Sequence, residues 1–315
     1  MTTFRTYAAV GIREDLSDTI YSISPTSTPF MSSIGKSKAT NTYHEWQTDQ
    51  LAAPRVNAAI EGADASTTAA VPTVRVGNRT QISEKTIGVT GTLESVDKAG
   101  RKSQKAYELA KASSEIKRDM EFALLNNTVS SNGSAGSAAR VLGGLQTWLA
   151  SNTSLGTSGT AGASGTTARV SGTNRTFTEA LLQSVVKSVF TNGGTPKILM
   201  VTPAHKQVVS SFAGIAAQRY MAPADAPTTI VGAADVYLSD FGSMSVVPNR
   251  FMLNGNGGDE TAFVLDPEYA AIAYLRPFQT NDLAKVGDSE KTQLLVEYTL
   301  EVRSEAAHGI ISDLS

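Results

Sequence analysis

The amino-acid sequence predicts an α+β fold, and three observations carry that prediction. Residues 95–127 have apolar side chains at helical spacing. The C-terminal segment from Leu294 to Val302 alternates apolar and polar residues with a period of two, which predicts a strand. After Phe177, helix-like and strand-like segments follow one another closely, which predicts a separate α/β lobe.

The composition favours a folded chain whose surfaces are covered by neighbours. Hydrophobic residues make up 41% of the chain and charged residues only 18%, fewer than in a typical soluble monomer. The net charge of -2 argues against a dedicated nucleic-acid-binding protein. Because cysteine is absent, disulfides, thiolate metal sites and a cysteine nucleophile are excluded.

The sequence shows no signal peptide and no run of about 18 apolar residues, so we expect cytoplasmic synthesis and no membrane contact.

Residues 1–40 predict an extended arm. Pro25 and Pro29 forbid a continuous helix and favour an extended path. Residues 13–21 predict a short helix with Leu16 and Ile20 on one side. The arm therefore carries apolar side chains with which to hold a neighbour.

Residues 41–92 predict a long two-stranded hairpin. Its apolar positions are sparse, and its middle consists of Ala, Thr and Gly. Two strands with no covered face bury too little surface to be stable alone in water. We therefore expect another copy of the chain to cover this hairpin.

Residues 95–127 predict one long helix. Its apolar face includes Ile116, Met120 and Leu124. Extended towards the N-terminus, the same face carries four cations instead: Lys98, Arg101, Lys102 and Lys105. We favour a solvated or intersubunit face over a patch that faces DNA, because four charges give little affinity at physiological salt.

Residues 129–175 are rich in Ser, Gly, Thr and Ala, which predicts a surface excursion. Within it, residues 145–149 predict a short helix held by its apolar side chains. No repeat of 20 to 50 residues is expected, which argues against a solenoid or propeller.

The α/β lobe begins with a helix that ends at Gly193, followed by a buried strand and a second helix that starts at Thr202 and Pro203. Further strands are predicted at three places: Met244–Val247, Ala262–Leu265 and Ala271–Leu275. The strand from Leu294 to Val302 is expected to be half buried, with its polar face in solvent.

The sequence predicts no catalytic residue, no metal site and no cofactor. His44, His205 and His308 lack the spacing of a metal motif. No nucleophile elbow or oxyanion pattern accompanies His205, so a hydrolase built around it is a weak alternative. The glycine pairs are not followed by the residues that a phosphate-binding loop requires.

The order of these elements resembles the tailed-bacteriophage major capsid proteins. The resemblance covers most of residues 11–125 and is specific, because a Pro-containing arm feeds a Trp-containing hairpin and then a long helix. It is carried by segments such as IEGADAS, RVGNRTQISEKT and VDKAGRKSQKAYELAKASSEIKRDME. A tail-tube or decoration protein is the other structural alternative, but those proteins are usually shorter and β-rich.

The resemblance implies five parts: an N-arm (1–40), an E-loop hairpin (41–92), a peripheral domain with spine helix and Gly/Ser-rich excursion (93–176), an axial domain (177–278) and returning peripheral strands (279–315). It implies hexamers and pentamers that form an icosahedral shell around double-stranded DNA. The expected location is the virion, after assembly in the bacterial cytoplasm. The resemblance also implies portal, scaffold or decoration proteins as possible further partners. Contact with packaged DNA is expected to be non-specific.

One member of the fold crosslinks an E-loop lysine to a neighbour's asparagine. No such crosslink is expected here, because residues 46–84 contain no lysine. The predicted intersubunit residues are those on the arm and hairpin best suited to hold a neighbour: Ile12, Leu16, Ile20, Pro25, Phe30, Trp46, Arg55, Glu61, Asp64, Arg75 and Arg79.

Overall fold

The computed structural model describes residues 26–62, 64, 70–98, 100–212, 235–252 and 260–315. The helices are α1 (Pro29–Ser33), α2 (Gly91–Ser95), α3 (Gln104–Leu125), α4 (Glu179–Thr191) and α5 (Pro203–Ser210). The strands are β1 (Gly35–Lys38), β2 (Tyr43–Thr48), β3 (Val74–Arg79), β4 (Gln81–Thr90), β5 (Thr153–Ser154), β6 (Ile198–Val201), β7 (Val236–Ser239), β8 (Gly242–Pro248), β9 (Glu260–Leu265), β10 (Ala270–Leu283), β11 (Ser289–Val302) and β12 (Gly309–Leu314). Among these described residues, no helix has the length and apolarity needed to cross a membrane.

The first core lies between α3 and a four-stranded sheet of order β1-β10-β11-β4. Ile116, Met120 and Leu124 follow one another along the inner face of α3 and are fully buried. They belong to the same apolar cluster as Val296 and Tyr298 on β11. Burial of side chains of this size contributes about 1.5–3 kcal/mol each, so this face fixes α3 on the sheet.

The long helix is shorter than the sequence predicts. Residues 95–127 form the end of α2, a break, and α3. Val96 is extended, Gly100 has a φ of +75°, and the Ser103 hydroxyl accepts a hydrogen bond from the Ala106 amide at 3.1 Å. A left-handed glycine followed by a serine N-cap restarts the helix, so local chemistry overrides the helical periodicity.

The strand β11 also differs from expectation. Its apolar face, from Leu294 to Val302, is buried against α3 as predicted. Its other face is not in solvent, because Glu297, Thr299 and Glu301 are buried as well. Burial of two carboxylates requires partners, and these come from the loops and strands that cover this face.

A second core lies on a six-stranded sheet of order β5-β12-β9-β6-β8-β7. The amphipathic helix α4 packs its buried face, which includes Leu182 and Val186, into this core. The Thr202 hydroxyl accepts from the His205 amide at 3.4 Å and caps α5, which confirms the predicted helix start. The three further predicted strands are present, and the last of them is the much longer β10.

The two-stranded hairpin is shorter than the predicted span 41–92. Only β2 and β3 pair with each other, from Tyr43 opposite Arg79 to Thr48 opposite Val74. The next strand, β4, pairs with β11 and so belongs to the four-stranded sheet. Residues 43–79 are called the ribbon below.

Glu121 of α3 joins three separate parts of the chain. Its buried carboxylate accepts the amides of Phe30 at 2.7 Å and Met31 at 2.9 Å, which are unpaired N–H groups at the start of α1. It also accepts the side-chain amide of Asn249 at 2.7 Å, just after β8. Burial raises the pKa of Glu121, although these donors favour its charged form.

The Gly/Ser-rich excursion contains a repeat that the sequence analysis missed. Residues 131–141 (SNGSAGSAARV) and 160–170 (TAGASGTTARV) are offset by 29 positions. Each folds as a small hairpin with the same paired positions, Ser131 with Val141 and Thr160 with Val170. We call them the first and second glycine hairpins. The offset of 29 positions lies within the range of 20 to 50, so the expectation of no such repeat was wrong. The repeated units are too short to stack, which still argues against a solenoid.

Each glycine hairpin ends in an arginine that reaches a buried carboxylate. Arg140 of the first binds Glu297 on β11. Arg169 of the second binds Asp313 on β12, with 2.8 Å between Nη1 and Oδ1. An excursion with few apolar residues is thus held on both sheets by charge-assisted hydrogen bonds.

The buried histidine His308 predicts a specific loss of stability in acid. Its Nδ1 accepts the Asp266 amide at 3.3 Å, and burial lowers its pKa to about 4. An unfolded chain with an ordinary histidine pKa of about 6.5 binds a proton as pH falls from 6.5 to 4, whereas the folded chain does not. The free energy of unfolding should therefore fall by about 3 kcal/mol across this window.

Chemical denaturation at several pH values measures this effect. His308→Gln should remove that part of the pH dependence, while His44→Gln should retain it because His308 is intact. An unchanged pH profile in His308→Gln would contradict the assignment.

Candidate assembly interface

The outer part of the ribbon exposes large apolar side chains that the chain itself does not cover. Leu51 is 100% exposed, Val56 95%, Ile60 83% and Val71 80%. Residues 49–62 carry no helix or strand beyond the paired part of the ribbon. Leu51, Val56 and Ile60 lie on this segment, and Val71 lies on the returning part of the ribbon. Large apolar side chains left uncovered together mark an interaction site.

The ribbon is fixed to the body where β3 turns into β4. The Thr80 hydroxyl donates to Oε1 of Glu297 at 2.8 Å, and Arg140 donates both to that carboxylate and to the Thr80 carbonyl. Arg276 donates to the other oxygen, Oε2, at 2.7 Å. The turn between β3 and β4 is thus bound to the buried Glu297 carboxylate, which accepts from three side-chain donors.

A second contact fixes β3 itself. The buried Asn78 side-chain amide donates to the carbonyls of Gly143 and Leu300 at 3.0 and 2.9 Å. Its oxygen accepts the Gly143 amide at 2.8 Å and the Arg79 amide at 2.9 Å. One side chain therefore joins the ribbon, the excursion and β11.

A third contact fixes β2. The Glu301 carboxylate accepts the Ser37 hydroxyl at 2.5 Å and lies 3.2 Å from His44 Nε2. Arg303 donates to its other oxygen at 3.0 Å. Although burial opposes the charged form, these donors hold the pKa of Glu301 below its usual range. Together the three contacts define a rigid root for the ribbon.

The predicted interface residues of the ribbon divide into two groups. Trp46 packs on Trp148 with 5.4 Å between ring centroids. Arg75 pairs with Glu45 on the adjacent strand, and Arg79 donates to Asn132 at 3.0 Å and lies over the Tyr43 ring. These three side chains act within the chain.

The other three ribbon residues remain available to a neighbour. Arg55, Glu61 and Asp64 are exposed, and none of them forms an ion pair within the part of the chain that is described. They lie on or beside the outer apolar segment.

The predicted interface residues of the arm do not lie on an exposed surface of the described structure. Phe30 was expected at an interface, but it is fully buried in the chain's own first core. The expectation for Phe30 is wrong, because Glu121 binds the Phe30 amide and holds α1 on the body, and the Phe30 side chain packs in the first core. Ile12, Leu16, Ile20 and Pro25 lie outside the described residues.

The four basic residues do not form one stripe. Lys98 and Arg101 lie in the break before α3, where Lys98 donates to the carbonyls of Glu94 and Val96 and Arg101 binds Gln104. Lys105 pairs with Asp282 at 3.0 Å and lies 3.6 Å from Glu290. Of the four, Lys102 alone forms no ion pair or hydrogen bond within the described residues.

The histidine on which the hydrolase alternative rests is part of the fold. His205 is buried, and its Nδ1 lies 2.8 Å from the Thr202 hydroxyl. Its ring meets the Phe177 ring edge-on at 5.6 Å. Within the described ranges, no cluster of three or more His, Asp or Glu has the arrangement of a metal site.

Sequence reasoning missed the residues that position the ribbon. Glu297 and Glu301 alternate with apolar residues, which is the ordinary pattern of a strand with one face in solvent. Asn78 follows a glycine and resembles a turn residue. No local signal marks these three as buried, because their partners lie far away in sequence.

The fold defines a structural class, the fold of tailed-phage capsid structures. A cyanophage A-1(L) capsid structure matches with a TM-score of 0.66 at 12% identity, over 98% of each chain. The capsid of a native GTA particle matches with a TM-score of 0.61 at 14% identity, over 96% of each chain.

Comparison of the amino-acid sequence with known proteins identifies the family. The SU10 major capsid protein family model matches residues 1–315, and the chain belongs to that family. The major capsid protein of Escherichia phage Phieco32 is 27% identical over 356 aligned positions, which cover 98% of this chain and 96% of the relative. The protein is a phage major capsid protein that forms the capsid shell.

The hydrogen bonds of Asn78 predict that this side chain contributes more to the stability of the fold than the exposed Asn132 does. Asn78→Ala removes four hydrogen bonds from a buried position, which should lower the free energy of unfolding by about 3 kcal/mol. Asn132→Ala is the matched control, since Asn132 is exposed and should cost below about 0.5 kcal/mol. Denaturant unfolding of the two variants measures the difference, and equal losses would exclude a structural role for the buried side chain.

Proposed function

We propose that the subunits form hexamers and pentamers that close into an icosahedral shell around double-stranded DNA, with each ribbon lying across a neighbouring subunit. The observation that carries this proposal is the set of four large apolar side chains exposed on the outer ribbon. Covering each of them contributes about 1.5–3 kcal/mol. A shell supplies the cover, because it places another copy beside every ribbon.

The geometry of the ribbon supports this arrangement. One patch on one subunit meets a different patch on the next, which is a heterologous contact that closes into a ring. The rigid root sets the direction in which the ribbon leaves the body. The outer segment has no strand pairing after Thr48, so it can adapt to the different angles of hexamers and pentamers.

The parts of the chain take the roles implied by the capsid fold. Residues 1–40 act as the N-arm, 93–176 and 279–315 as the peripheral domain, and 177–278 as the axial domain. Within 41–92, the E-loop corresponds to the ribbon, and β4 supports the peripheral sheet. Arg55, Glu61 and Asp64 are the charged ribbon residues proposed to contact a neighbour.

Other partners follow from the shell. We place assembly in the host bacterial cytoplasm and the product in the virion, and the shell offers surfaces to portal, scaffold or decoration proteins. Contact with packaged DNA is weak and non-specific, since among the basic residues of the helix break only Lys102 is free of partners in the described structure. We propose a structural and not a catalytic role, because the chain belongs to a capsid protein family and the buried His205 ring is held 2.8 Å from the Thr202 hydroxyl.

Removal of the exposed apolar side chains tests the ribbon's role. A variant with Leu51→Ser, Val56→Ser, Ile60→Ser and Val71→Ser should remain folded, because these side chains contact little of their own subunit. It should form no closed shells, because the apolar cover that holds neighbours together is lost. Electron microscopy and sedimentation velocity measure shell formation.

The matched control substitutes four small residues of the same segment, Ala52, Ala53, Ala58 and Ala59, each by serine. This control should still assemble, since its large apolar side chains are intact. Normal shells from both variants would refute the proposed contact.

A further inference from the structure

An apolar pocket lies beneath the paired part of the ribbon. It has a volume of about 160 Å³, and its lining comes from four parts of the chain: Thr48, Val76, Trp148, Ala150, Ala163, Ser164, Val302 and Glu305. A cavity of about 150 Å³ with apolar walls accepts a group the size of benzene. The pocket therefore has room for one branched aliphatic side chain.

The walls of this pocket are held firmly. Gly165 of the second glycine hairpin lies against the Trp148 ring, where a Cβ atom would come within 2.6 Å of Cζ2. Trp148 Nε1 donates to the Gly143 carbonyl at 3.2 Å. The Glu305 carboxylate at the rim accepts the amides of Ala150 and Ser151, each at 3.2 Å. A preformed pocket loses little entropy when it is filled.

The length of the ribbon indicates what fills the pocket. Twelve residues separate Thr48, in the pocket wall, from Ile60, and an extended chain of that length spans at most about 40 Å. A compact chain of this size has a radius of gyration of about 20 Å, so an extended ribbon can carry Ile60 beyond the edge of its own subunit. Ile60 is 83% exposed and does not fill the pocket of its own subunit, which leaves it available to an adjacent copy.

We propose that Ile60 at the ribbon tip of one subunit inserts into the pocket beneath the ribbon of the adjacent copy. This inference rests on the proposed function and names the contact through which it acts.

The absence of cysteine from the sequence allows a direct test. A variant with Ile60→Cys and Ser164→Cys places one thiol on the tip and one at the pocket. After air oxidation of assembled shells, non-reducing electrophoresis should show a ladder of covalent oligomers, because each subunit links to the next. A disulfide requires the two Cα atoms to lie about 4.4–6.8 Å apart, so the link reports direct docking.

The first glycine hairpin provides the matched control. Ala135 occupies the position there that Ser164 occupies in the second hairpin, but it does not line the pocket. Ile60→Cys with Ala135→Cys should therefore give no ladder. Shells without a link at Ser164, or equal links at both positions, would overturn the inference.

A second pair of variants tests the same contact without new thiols. Ala163→Leu fills the pocket and should reduce shell yield at least tenfold, whereas Ser134→Leu, at the matching position of the first hairpin, should not. If both variants assemble normally while the four-serine ribbon variant does not, the pocket is excluded and the ribbon's general role is retained. If the four-serine variant also assembles, the proposed function itself fails.

Discussion

Burial of the polar face of β11 is the constraint on which the ribbon depends. A strand with apolar residues on one face and carboxylates on the other would ordinarily lie at the surface, yet here both faces are covered. A buried carboxylate without partners would cost several kcal/mol, so Glu297 and Glu301 restrict where Arg140, Thr80 and His44 can lie. These partners belong to the excursion and to the base of the ribbon. The same interactions that satisfy two charges therefore also set the direction of the ribbon.

The two glycine hairpins show how the chain orders a segment that has few apolar side chains. Each hairpin contributes one arginine, and each arginine ends on a buried carboxylate of a C-terminal strand. The second carboxylate belongs to Asp313, which holds a φ of +59° that few non-glycine residues adopt. Its hydrogen bonds, including one at 2.6 Å from the Gly156 amide, compensate for that conformation. The excursion is thus attached by specific polar contacts where hydrophobic packing is scarce.

Local chemistry explains what the sequence predicts and what it does not. α5 was predicted with its start because Thr202 and Pro203 are adjacent in sequence to the helix that they begin. The break before α3 was missed, because helical periodicity continues through Gly100 and Ser103. Phe30 and the two β11 carboxylates were misplaced for another reason: each has at least one partner more than 80 positions away in the sequence. The ribbon was predicted only in part: its composition indicates that it cannot cover itself, whereas no local signal shows that β4 pairs with β11 and not with the hairpin.

A rigid root and an uncovered tip have opposite effects on assembly, and a shell needs both. The root removes conformational freedom before subunits meet, so little entropy is lost there on association. The tip carries only a few apolar side chains, each worth about 1.5–3 kcal/mol, and a single docked residue therefore gives weak binding. Weak contacts dissociate when the angle between subunits is wrong, whereas a closed ring holds every subunit through two such contacts at once. Closure therefore selects correctly oriented subunits, which a single strong contact would not do.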